Sequence, residues 1–244
     1  MNNSRPTPYS SRHTILLGLT TTPGSNWREK VKEIDEFGIK EVALFPTYLE
    51  VNERQELYGL LEESGLRRIV FTHLRAEDMS TDEVLYLQNR FGCELFNIHS
   101  HKNEIAPPTG LDQFRDKIYV ENAGKLDRLE EVAERYAGLC IDFAHWEAGL
   151  LQSDSNYDNF SHLIKKYKTG FAHISAVLKK PIYVDWDIEH KLHYDLHTLN
   201  NFSELDYLKK YTTYLPEILG LELENSFKEQ LKAKEYIEKM IVER

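Results

Sequence analysis

The 244-residue chain carries 40 acidic and 30 basic side chains, a net charge of −10 that disfavours extended nucleic acid as a partner. With 41 % apolar and 29 % charged residues, and no apolar run near the roughly 18 residues that a membrane span needs, the sequence reads as globular, without a membrane segment. Two cysteines, Cys93 and Cys140, each beside an apolar run, read as buried thiols rather than a disulfide framework.

Residues 1–13 are polar and lack the apolar core of a secretory signal, so a loose tail on a cytoplasmic protein is expected. From Thr14 onward, short apolar β-rich runs alternate with helical stretches, the pattern of βα units on a parallel sheet. Eight strands are predicted, at 14–19, 41–45, 68–72, 95–98, 117–120, 139–143, 170–174 and 219–223. Several are apolar almost throughout, as a sheet covered on both faces demands. Between them lie helix signals. Asn52–Gln55 and Ser80–Glu83 have capping-box spacing, and Gly65 and Gly92 supply stops for the helices they open. Gly38 and Gly138 likewise follow helices predicted at 26–37 and 125–137. Eight units in a chain of this length predict an α/β fold, a single (β/α)8 TIM barrel over 14–244. Its one long loop, 176–216 between strands 7 and 8, holds a strand-like 181–184 and a helix-like 204–211 and reads as an active-site excursion. An amphipathic helix at 227–242, with Leu231, Ile237 and Ile241 on one face, should pack on the barrel.

His73, His99, Glu121, Asp142 and His173 fall at or near the C-terminal ends of predicted strands, and Glu222 and Glu224 near the end of the eighth. In a parallel barrel those ends converge on one mouth, where active sites are built. Clustered carboxylates either take up protons or bind metal, and imidazole interleaved with carboxylate suits Zn, Mn or Fe. Asp142 and His145 form an Asp-x-x-His at the sixth strand and its following loop, and Asp195 and His197 sit two residues apart in the long loop, placed as a metal lid. One to three divalent ions are therefore expected. Tyr48, Trp146, Tyr183 and Trp186 are candidates for pocket walls as much as for packing.

These features resemble the xylose isomerase-like barrel superfamily, which includes endonuclease IV and many sugar and sugar-phosphate isomerases and epimerases. Val120–Gly124 is similar to its Glu-Asn strand motif, Cys140–Gly149 to its Asp-x-x-His motif, and His173 to the His of its seventh strand. The resemblance spans nearly the whole chain. It implies that His73, His99, Glu121, Asp142, His145, His173, Asp195, His197 and Glu224 match the three-zinc ligands of endonuclease IV. The subset Glu121, Asp142, His173 and Glu224 matches the ligands of single-metal epimerases. Glu222, His101, Asp187, His190 and His193 stay open as replacements for some of these ligands. The second strand, 42–45, lacks the Glu common among the isomerases, and His173 lacks a following Asp.

Three readings result. The first is a metal-dependent isomerase or epimerase that transfers a proton on a metal-bound sugar or sugar phosphate, with Glu121 and Glu224 exchanging the proton and His145 orienting a substrate oxygen. The second is a multinuclear zinc phosphodiester hydrolase resembling endonuclease IV, for which the acidic balance favours a small phosphoester over DNA. The third is a metal-retaining binding module without catalysis. Homo-oligomerisation stays open.

Overall fold

The computed structural model describes residues 13–75, 77–99, 110–123, 126, 129–184 and 191–242. The strands, in chain order, are β1 (Thr14–Leu16), β2 (Gly18–Thr20), β3 (Glu41–Phe45), β4 (Arg68–His73), β5 (Leu95–His99), β6 (Ile118–Glu121), β7 (Gly138–Asp142) and β8 (Thr169–Ile174). After them come β9 (Ala176–Tyr183), β10 (Leu192–Leu196) and β11 (Ile218–Leu221). The main sheet runs β1-β11-β8-β7-β6-β5-β4-β3-β2, with every neighbouring pair parallel. Its two ends, β1 and β2, are separated in sequence by Leu17 alone, so a single stretch of chain joins both edges and the sheet is a barrel.

That closure explains why the first predicted strand, 14–19, is interrupted. β1 pairs with β11, whereas β2 pairs with β3, and the switch falls at Gly18. A Cβ on Gly18 would lie 1.7 Å from the Leu221 carbonyl oxygen, so the close approach needs glycine. Gln230 completes the seam. Its Oε1 accepts from Gly18 N at 2.7 Å, and its Nε2 donates to Gly18 O and Leu223 O, each at 2.9 Å, which satisfies backbone groups the ladder leaves over.

The helices are α1 (Trp27–Glu36), α2 (Val51–Glu63), α3 (Thr81–Phe91), α4 (Leu129–Ala133), α5 (Phe143–Leu151), α6 (Phe160–Lys166) and α7 (Phe227–Val242). Their buried positions follow helical spacing, as in Val84, Leu87 and Phe91 of α3 and Phe227, Ala233, Ile237 and Met240 of α7. Four helix boundaries differ from expectation. α2 starts at Val51, where the Glu50 amide donates to Glu53 Oε2 at 3.3 Å, so the box is Glu50/Glu53 rather than Asn52/Gln55. Ser64, with its hydroxyl on Leu61 O, ends α2 in place of Gly65. Of the helix expected at 125–137, residues 125, 127 and 128 lie outside the described set; the helix described there, Leu129–Ala133, ends before 137, with Gly138 already in β7. Phe143 leaves the sixth strand for α5, because the Asp142 side chain accepts from the His145 amide at 2.8 Å and caps a helix there. Ser80 caps α3 and left-handed Gly92 ends it, as the spacing predicts.

The long excursion is an antiparallel hairpin, β9 against β10, followed by 3₁₀ turns over Phe202–Lys210. Both cysteines are buried free thiols. Among the described residues no helix is long and apolar enough to cross a membrane. Of the expected tail, His13 is described, its Nδ1 2.7 Å from Pro216 O; residues 1–12 lie outside the described set.

Apolar residues pack in two places. The larger cluster lies between sheet and helices, while Leu16, Ala43, Phe45, Phe71, Tyr119, Cys140 and Phe171 form a plug inside the barrel. Room for the Phe71 ring comes from Gly220, where a Cβ would approach Phe71 Cζ to 2.3 Å.

Lys30 of α1 is buried and donates to Leu223 O at 2.8 Å beside the seam. Burial pushes its ammonium down to about 7, against the opposing pull of Glu224, Glu33 and Glu229, from the 10.5 of an ordinary lysine. Between those values the unfolded chain binds more protons, so stability should rise with pH across that window by at most about 1.4 kcal/mol per unit. Lys30→Met should flatten the rise. Urea unfolding of both proteins from pH 7 to 10 checks this, and parallel slopes would refute it.

Candidate metal centre

Side chains alternate between the two faces of a strand, so on five strands the inward residue two places beyond the plug level reaches the barrel mouth. Phe71 is followed in this way by His73, Tyr119 by Glu121, Cys140 by Asp142, Phe171 by His173 and Gly220 by Glu222. A polar tier therefore rests on the apolar plug. Strand register sets its neighbours: His99 lies opposite Glu121, Glu121 opposite Cys140, and Asp142 opposite His173.

Glu121, Asp142, His173 and Glu222 are all buried, and one donor atom from each lies within 4.8 Å of the others. His173 Nδ1 is 3.4 Å from Glu121 Oε2 and 3.2 Å from Glu222 Oε2. Two further groups meet the same distance limit and share Glu121 with the first: Glu121, Cys140 and His173, and His73, His99 and Glu121. There, His73 Nε2 is 2.9 Å and His99 Nε2 3.9 Å from the two Glu121 oxygens. Asn97 Nδ2 also donates to Glu121 Oε2, at 2.6 Å.

Electrostatics reflect this crowding. Burial opposes ionisation of Glu121, but the charges of His173, His73 and His99 outweigh it and hold the carboxyl well below its ordinary range. Glu222 is likewise pulled down to about 2 against burial, by His197 and His173. Asp142 goes the other way, to about 6, because burial and the charges of Glu121 and Glu222 exceed the pull of His145. Burial also pushes the Cys140 thiol, 3.3 Å from His173 Nε2, up to about 12.

Two buried donor atoms of this quartet, Asp142 Oδ2 and His173 Nδ1, have no hydrogen-bond partner, and neither has His73 Nε2 of the neighbouring group. Buried polar atoms are rarely left this way. Three carboxylates and one imidazole around two orphaned donors fit a divalent cation such as Mg, Mn, Zn or Fe.

The remaining sequence candidates border this group. His145, in the first turn of α5 rather than in a loop, has Nδ1 2.7 Å from Asp195 Oδ2 of β10 and Nε2 3.6 Å from Glu121 Oε1. Asp142, Asp195 and Glu121 hold the His145 imidazole well above its ordinary range despite burial. His197 Nδ1 lies 3.2 Å from Glu222 O. Glu222 lies within the quartet and Glu224 does not. Glu222 N still bonds Ile174 O at 2.8 Å, which keeps it beside β8 and His173, whereas Glu224 N has turned to His197 O at 2.7 Å. The Glu224 carboxylate instead accepts from Thr22 and Thr198. His193 pairs with Ile182 in the hairpin, and His101, Asp187, His190 and Trp186 lie outside the described residues.

Trp146 is buried and packed among Phe143, Phe160, Tyr211 and Tyr214. Tyr183 projects from the hairpin, 67 % exposed. Tyr48 is near the mouth, its phenol pushed up by burial and by the charges of Glu222 and Glu224. Sequence reasoning missed roles for Asn97, Asn122 and Cys140. Asn122 fixes Asp142, its Oδ1 accepting from Asp142 N at 2.7 Å and its Nδ2 donating to Asp142 O at 2.9 Å. Its place directly after Glu121 in the Glu-Asn motif was the available signal.

No protein-family model matches the sequence, and no curated protein matches it. Among solved structures, a xylose isomerase-like TIM barrel protein from Mycobacterium smegmatis, crystallised in complex with magnesium, is similar at a TM-score of 0.50 and 12 % identity, over 95 % of this chain and 98 % of that one. At that identity the likeness concerns the fold alone, and together with the sheet that β1 and β2 close it makes this chain a TIM barrel.

Proposed function

We propose that the chain is a divalent-metal-dependent enzyme that transfers a proton on a small sugar or sugar phosphate, as the isomerases and epimerases of this fold do. The observation that carries the reading is the buried quartet Glu121, Asp142, His173 and Glu222 with its two unpartnered donors. Those four residues would hold the ion, which as a Lewis acid would stabilise negative charge developing on a substrate oxygen. Glu121 and Glu222, both held ionised, are the candidate proton acceptors, with Glu222 in the role first expected of Glu224. His145, braced by Asp195, orients and protonates a substrate oxygen.

A specific observation favours a second reading. Glu121 belongs to every ligand group, so one carboxylate would serve more than one ion in a multinuclear phosphoesterase. The net charge of −10 then favours a small phosphoester over DNA.

Metal content per chain, measured by mass spectrometry on the purified protein and on His73→Ala and His99→Ala, decides between them. The isomerase reading expects one ion that survives both changes, and incorporation of solvent deuterium into a member of an aldose and ketose panel. Two or three ions that fall in both variants, with phosphoester hydrolysis, would establish the second reading. Protein that takes up no ion would overturn both.

A further inference from the structure

We propose that Cys140 is a positioning residue for His173: its sulfur takes the Nε2–H and so presents the Nδ1 lone pair to Glu121, Asp142 and Glu222. The inference rests on the metal-centre reading above and adds which ring nitrogen binds and what holds it there.

His173 is fully buried in the barrel. Its ring stacks on Phe71 at 5.6 Å and 15°, and meets the edge of Phe45 at 4.9 Å and 80°. These contacts fix the ring plane, yet neither offers a polar group, so they leave undecided which nitrogen carries the proton. Cys140 Sγ, 3.3 Å from Nε2, is placed to accept that proton when Nδ1 is taken by an ion. On the opposite edge of the ring, Nδ1 faces two carboxylates and has no hydrogen-bond partner.

An imidazole that binds a metal through one nitrogen keeps its proton on the other, and that proton needs an acceptor. A carboxylate is a common acceptor, but here it would put a fourth buried acid beside Glu121, Asp142 and Glu222. A neutral thiol accepts the N–H without adding charge. It also donates, so Nε2 stays satisfied when the metal is absent and the proton moves to Nδ1. A backbone carbonyl serves the first state but not the second. Cys140 lies two residues before Asp142 on β7, so one strand supplies both a ligand and the support for its neighbour across the ladder.

The test compares wild type, Cys140→Ser and Cys140→Ala. Each metal-free protein is titrated with Mn(II) by calorimetry, and the histidine side-chain nitrogens are followed by 15N NMR with Mg(II) bound. Cys140→Ala is expected to bind Mn(II) about 10–100-fold more weakly, the cost typical of losing an outer-shell partner. Cys140→Ser, whose hydroxyl both donates and accepts, should recover most of that loss. Thermal melts of the metal-free variants separate a binding defect from a folding defect. The spectrum should show His173 protonated on Nε2 in wild type and in Cys140→Ser.

Unchanged affinity in Cys140→Ala would overturn the proposal, as would a His173 protonated on Nδ1 in the Mg(II)-loaded protein. A thiolate-to-metal absorption band on loading wild type with Co(II) would also overturn it, by making Cys140 a ligand. Failure of the metal-centre reading looks different: wild type would take up no ion at all, while the metal-free spectrum still showed the Cys140 contact at Nε2.

Discussion

Glu121→Gln is expected to lose ion binding at every ligand group, because the one carboxylate serves each of them. The loss should exceed the roughly 10–100-fold that removal of an outer-shell partner costs, since a neutral amide donates one lone-pair oxygen where the carboxylate offers two charged ones. Glu222→Gln should weaken the quartet while sparing His73 and His99. Glu224→Gln should leave metal uptake near wild type, because that carboxylate serves Thr22 and Thr198. Calorimetric titration of the metal-stripped variants gives the ranking. Full binding by Glu121→Gln, or loss in Glu224→Gln with retention in Glu222→Gln, would refute this assignment of ligands.

Gly18→Ala is expected to be the most damaging single methyl in the protein. The added carbon would lie 1.7 Å from a backbone oxygen of β11, which cannot swing aside as a side chain can. Relief requires moving Gly18, the first residue of β2, away from β11, at the point where Gln230 also holds both Gly18 backbone groups. Overpacking usually costs about 1–3 kcal/mol, and this site should sit at or above the top of that range. A fall in Tm of about 6–12 °C follows for a chain of this size. Gln230→Ala, which leaves the same backbone groups unbonded, should destabilise by a smaller amount. A Gly18→Ala protein that melts with wild type would show that the seam yields elsewhere.

The barrel was legible because its strands are short apolar runs and its helices carry punctuation such as Ser80 and Gly92, both written in local chemistry. Strand ends were harder. Phe143 extends an apolar run, and only the side chain of Asp142, acting as a helix cap, removes it from the strand. The candidate rim was read from position, because His73, His99, Glu121, Asp142 and His173 fall at or near the C-terminal ends of predicted strands. That reading could not separate Glu222 from Glu224, since two residues apart on a strand they share one face. Their difference lies in a backbone bond to Ile174 for one and to His197 for the other, a tertiary event with no local mark. Cys140 escaped notice for a related reason: beside an apolar run a thiol looks like packing, and its role depends on His173, 33 residues away.

The seam at Gly18 also dictates an order of events during synthesis. Gly18 and Gln230 are 212 residues apart, and at about 5–20 residues per second the ribosome needs on the order of 10–40 s to deliver the second after the first. Throughout that interval the outer edge of Thr14–Leu16 has no β11 to pair with, and an unpaired strand edge invites association with other chains. Nascent chains stalled just before residue 218 should therefore bind chaperone or aggregate through their first strand, and release of the last stretch should end that exposure in one cooperative step.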